Sequence, residues 1–113
     1  MDHYHIWFNL RDTSRDLKFA HDLAAYMAHL KAQGAIEGWN LARRKLGFGP
    51  HELGEFHVDI QTRDLAQLEQ AFQTMAPRAG EAEKLHAAVW AAVTDFRSGL
   101  WRDFPDPVRQ GAR

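Results

Sequence analysis

The chain contains no cysteine, which removes disulfides, thiolate metal sites and cysteine nucleophiles together and leaves histidine, carboxylate and lysine chemistry. Neither sign of charge is in excess: 14 Lys and Arg stand against 15 Asp and Glu, for a net charge of −1. No general field draws such a protein to nucleic acid or to an anionic membrane, so any ligand has to be recognised locally. No apolar run approaches the length that spans a bilayer. Met1 to Tyr4 run into an alternating pattern without the basic and apolar regions of a signal peptide. A cytoplasmic location is the resulting expectation. The glycine-rich stretch from Gly47 to Gly54 lacks the Lys and Ser/Thr of a phosphate loop.

What is present is an ordinary globular composition, 45% apolar and 26% charged over 113 residues, enough for one modest core. A single domain over residues 1–107 with a C-terminal tail at 108–113 is predicted. In the opening segment Tyr4, Ile6, Phe8 and Leu10 alternate with His3, His5, Trp7 and Asn9, the period of a strand with one core face. Thr13 and Asp16 resemble a capping box. From there Phe19, Leu23, Tyr26, Met27 and Leu30 recur at helical spacing until Gly34.

A second strand is expected over Ile36 to Leu46, with Trp39, Leu41 and Arg43 opposite Asn40, Ala42 and Arg44. The third alternates cleanly, Phe56, Val58 and Ile60 against Glu55, His57, Asp59 and Gln61. A helix from Asp64 buries Leu65, Leu68, Phe72 and Met75 and stops at Pro77. A further helix over 81–93 and a fourth strand near 95–103 complete the pattern, against the alternative of one helix running on to Trp101. The order is that of a ferredoxin-like α+β sandwich: a four-stranded antiparallel sheet with its helices on one face.

The other face is left bare. On it the reading places Trp7, Trp39 and Trp101 with His5 and His57. Aromatic area of that kind marks an interface or a ligand groove, and a homodimer formed through the sheet faces is the expectation.

Several segments carry a resemblance to a known group: His5-Ile6-Trp7-Phe8-Asn9-Leu10 with its following helix, Gly34-Ala35-Ile36-Glu37-Gly38, Glu55-Phe56-His57-Val58-Asp59-Ile60, Leu85-His86, and the last strand ending near Asp103-Phe104. Over residues 3–104 the chain resembles the dimeric α/β-barrel superfamily, in particular its small stress-responsive A/B barrel, EthD-type and antibiotic-biosynthesis monooxygenase-like members. The resemblance implies two sheets packed face to face around a barrel whose interior holds a small organic ligand. It brings no catalytic residue with it, because the catalytic members of the superfamily do not share one set.

The residues themselves suggest a site. The first and third strands are neighbours in such a sheet, which brings His5, Trp7 and Asn9 beside Glu55, His57 and Asp59. His57 or His5 is the candidate base, with Asp59 as its orienting carboxylate. The opposing reading has these polar groups bonding one another inside a dimer interface. Trp7, Asn9, Trp39 and Glu55 are candidate ligand contacts, as is Arg43 if it points into the barrel, and His51 from the glycine-rich loop at its mouth. His3 and His5 with His57 and Asp59 also present three nitrogens and one oxygen, but no motif forces a metal geometry, and neither metal nor cofactor is predicted. His21, His29 and His86 read as structural or exposed. Two functions remain: a cofactor-free oxygenase or isomerase acting on a small aromatic or lactone-like molecule, or a non-catalytic, stress-associated or ligand-binding dimer with a filled barrel. An apolar cavity with His57 on its wall would favour the first.

Overall fold

Strand β1 (Asp2–Leu10) runs through the middle of the sheet, as expected of a segment that alternates along its whole length. The computed structural model describes residues 1–75 and 80–106. The order continues with α1 (Asp16–Ala32), β2 (Gly38–Arg43), β3 (Phe56–Thr62), α2 (Leu65–Met75), α3 (Glu81–Trp90) and β4 (Val93–Arg102). The strands lie in the order β2-β3-β1-β4, all neighbours antiparallel. This is the ferredoxin-like arrangement, with the helices gathered on one face. The stop at Pro77 and the tail after 107 lie outside the described residues.

The core forms where the helical stripe meets the apolar strand faces. Phe19, Leu23, Tyr26, Met27 and Leu30 of α1 are all buried, against Phe8, Leu10, Phe56, Val58, Ile60 and Val93 of the sheet. Helix α1 and strand β3 thus hide the side that their periodicity marked.

Four local expectations are corrected. The Thr13/Asp16 capping box does not form: Asp12 caps a short 3-10 turn over Thr13–Arg15, its carboxylate accepting from the backbone N–H of Ser14 at 3.0 Å, and α1 follows with Arg15 at its N-cap and no side-chain capping bond. In α2, Leu65 is 61% exposed and Phe72 is also largely exposed, while Gln67 is buried, because its side chain bonds the backbone of Arg63 and of Gly34 and ties α2 to the end of α1. Strand β2 is shorter than the pattern suggested, and Trp39 and Leu41 pair with Ile60 and Val58. They therefore belong to the helix face and pack on the core, so Trp39 does not lie on the bare face. Finally, α3 stops at Trp90 and β4 begins at Val93, two residues earlier than expected. The fourth strand stands, and the continuous helix does not form. Strand pairing with β1, from Leu10↔Val93 to Asp2↔Arg102, outweighs the helical repeat that runs through this segment.

The register of β4 on β1 slips between Trp7 and Asn9, and Asp95 there takes a left-handed backbone conformation with φ 57°. Such a bulge sharpens the local twist. Asn9 stabilises it, donating to the Asp95 carboxylate at 3.1 Å while accepting the Glu55 backbone N–H at 2.8 Å.

Candidate functional site

Among the described residues, two places bring chemically active side chains together, one on each face of the sheet.

On the bare face, alternation along β1 and β3 stacks a ladder of rings. His57 lies 4.8 Å from Trp7 and 4.7 Å from His5, with interplanar angles of 7° and 11°. Trp101 closes the group edge-on, 5.2 Å from His5 and 5.8 Å from Trp7. It can fold down there because Gly99, opposite His5, has no side chain: a Cβ at that position would collide with the Trp101 ring. His5 Nδ1 and His57 Nε2 share a hydrogen bond of 2.5 Å. Burial, and then the neighbouring His5 charge, push the His57 pKa below the ordinary histidine value, with Asp59 pulling weakly the other way.

Asp59 does not orient His57 by a hydrogen bond. Its oxygens lie 3.2 Å from His3 Nδ1, and His3 Nε2 meets the Asp103 carboxylate at 2.7 Å. The hydrogen bond to Asp103 raises the His3 pKa, opposed by burial and aided by Asp59. His5, His57 and Trp7 are therefore gathered as expected, and Asp59 beside them, but the base-and-carboxylate pair is replaced by a histidine pair.

The other predicted contacts scatter. Arg43 points to the helix side of the sheet end, bonded to Asp16 and Glu55 at 3.1 Å each, and its guanidinium lies over the Phe56 ring. Arg44 takes the opposite side and donates to the Pro50 and Leu53 carbonyls, holding the 44–54 loop closed. Glu55 is engaged by Arg43, both ends of the Asn9 amide are used structurally, and His51 is exposed in the loop.

The second place lies between the sheet and the helices. A cavity of about 200 Å³ opens there, lined by Tyr4, Ile6, Tyr26, His86, Trp90 and Phe96 among others. Its walls are almost wholly apolar. The hydroxyl of Tyr26, one of the lining residues, is buried with no hydrogen-bond partner among the described residues. Buried hydroxyls nearly always find a partner. His86 meets Tyr26 edge-on with ring centroids 5.8 Å apart, and stacks on Trp90, one helical turn on, at 6.0 Å. His57 is not on this wall. The spacing reads Tyr26 as plain core and His86 as structural or exposed. The legible signals were the one hydroxyl in an otherwise apolar stripe and the His86/Trp90 spacing of four.

Burial, followed by the charge of Glu83, raises the Tyr26 pKa far above the usual tyrosine value. Its phenol stays neutral and acts as a hydrogen-bond donor at any physiological pH. The raised value also makes folding pH-dependent. The unfolded tyrosine ionises near pH 10 and the folded one does not, so stability held below that point is lost above it. Tyr26→Phe should leave neutral-pH stability unchanged or slightly higher, since it removes an unsatisfied buried hydroxyl. It should also fall less steeply than the wild type in urea midpoint between pH 9 and 11. Equal slopes would mean that the hydroxyl is solvated.

All 113 residues match a family of unknown function, DUF6614. The chain belongs to that family. No curated protein matches the DUF6614 chain. Solved structures do. SnoaB, a cofactor-independent oxygenase from Streptomyces nogalater, superposes with a TM-score of 0.64 at 16% identity, over 93% of this chain and 97% of its own. A dimeric protein of unknown function and ferredoxin-like fold from Bacteroides fragilis gives 0.61 at 12% identity, over 90% and 95%. An antibiotic biosynthesis monooxygenase gives 0.58 at 15%, over 93% and 100%. The DUF6614 chain thus has the fold of the antibiotic-biosynthesis monooxygenase-type proteins that its sequence resembles. Among its described residues no helix is long and apolar enough to cross a membrane.

Proposed function

We propose that the protein is a cofactor-free oxygenase acting on a small phenolic molecule bound between the sheet and the helices, within a homodimer paired through the bare sheet faces. The observation that carries this reading is the apolar cavity lined by Tyr26, whose buried hydroxyl has no hydrogen-bond partner among the described residues, with His86 beside it. Binding sites of this kind are mostly apolar with a few placed polar groups. At about 200 Å³ the cavity suits one aromatic ring or a compact pair.

The chemistry divides between the two polar groups. His86 removes the phenolic proton, a task suited to a histidine near neutral pH. The neutral Tyr26 hydroxyl then donates a hydrogen bond to the resulting oxygen anion. The electron-rich anion is the reductant: dioxygen bonds to a ring carbon as a peroxide, which takes back the proton held on His86. Breaking of its O–O bond with loss of the ring C–H proton releases water and leaves the quinone, so that phenol and O2 give quinone and H2O while the apolar walls keep bulk water from the intermediate. The likeness to a cofactor-independent oxygenase supports this reaction class. The ring ladder on the other face fills that side with the chain's own side chains, which favours pairing there over ligand binding.

Oxygen uptake by the chelator-treated protein with a panel of one- and two-ring phenols and hydroquinones tests the reading. The wild type should consume oxygen with at least one of them. His86→Ala should reduce the rate by about 10²-fold or more, and His57→Ala should leave it near wild type. Loss in His57→Ala with His86→Ala intact would move the site to the sheet's other face. Binding without uptake would favour a non-catalytic ligand-binding dimer.

A further inference from the structure

The geometry points to a binding site for one divalent transition-metal ion formed by His3, His5 and Asp59 on the bare face, separate from the cavity. His3 and His5 are two apart on β1 and so share that face, and the register sets His5 directly opposite Asp59 on β3. One ligand atom from each of the three lies within 4.8 Å of the others. Donors bound to a common ion at about 2.1 Å stand roughly 3–4 Å apart, so small side-chain rotations complete the set.

The surroundings resemble those of metal-binding histidines. Such ligands usually hold a carboxylate or another acceptor at the second ring nitrogen, which fixes the ring and raises its basicity. His3 Nε2 is held by Asp103 at 2.7 Å while its Nδ1 faces Asp59, and His5 is held by His57. The three donors are half-buried, their positions set by the central strands of the sheet. Two imidazoles and one carboxylate favour zinc, cobalt, nickel or ferrous iron over magnesium or calcium. Three protein ligands also leave coordination positions open, for water or for a donor from a second copy.

Cobalt(II) titration of the chelator-treated full chain, followed by visible absorption and repeated with zinc by calorimetry, tests the inference. One ion per chain should bind. Asp59→Asn and His3→Gln should each weaken it at least 100-fold while melting as folded proteins, and Asp103→Asn should weaken it about 10-fold, as loss of a supporting carboxylate does. Tyr26→Phe should bind the metal like wild type, so failure of the cavity reading and failure of this one are told apart. No uptake at 100-fold excess of metal, or uptake that Asp59→Asn and His3→Gln leave unchanged, would overturn the site.

Discussion

Gly54→Ala should lower the melting temperature by about 10–20 °C, the shift that about 3 kcal/mol produces in a domain of this size. Gly54 is buried where the 44–54 loop returns to β3, and a Cβ there would come closer than 3.0 Å to the backbone carbonyl of Phe8. Phe8 is buried and paired with Phe56 in the middle of the sheet, so its backbone has nowhere to retreat. Gly49→Ala is the control. Its Cβ would first meet the Arg44 guanidinium, at 2.6 Å from Nε, and a flexible side chain can yield. A calorimetric scan of both variants decides the matter. Equal, small shifts would show that the loop can lift off β1.

Trp7→Ala should weaken the proposed homodimer by about 30- to 1000-fold, since large aromatic anchors dominate interface energetics. Trp7 stacks on His57 and meets Trp101 at the centre of the bare face, and Trp101 remains 55% exposed in the single chain. A ladder of rings with one side open to water is apolar area that association would cover. Sedimentation at micromolar concentration reads the result: a wild-type dimer and a Trp7→Ala monomer are expected. A monomeric wild type would mean that Trp101, folded over Gly99, already closes the face.

Long alternating or helical periods were legible because one face of each element has only one place to go. The stripe Phe19, Leu23, Tyr26, Met27 and Leu30, the β3 face and Phe8 and Leu10 of β1 are buried as their spacing predicts, with Tyr4 and Ile6 partly buried against them. The pairing of His5, Trp7, His57 and Asp59 on one face followed from the same rule, because β1 and β3 are adjacent in the sheet. Where the apolar pattern was mixed, as in β2, the sequence could not choose a face. Burial of Trp39 and Leu41 against the core decided it.

The sequence by itself thus determined the fold class, the element order and which titratable residues share the bare face, since period-2 and period-3.6 patterns are local and strong. Three further matters were settled only by the tertiary structure. It gave Asp59 to His3 and left His57 to His5, a choice between neighbours that depends on ångström distances across strands. It turned Arg43 to the helix side, where Asp16 and Glu55 wait. And it left an apolar cavity around Tyr26 and His86, which no pattern in the chain announces, because a void is a property of how two layers fail to meet and not of either one.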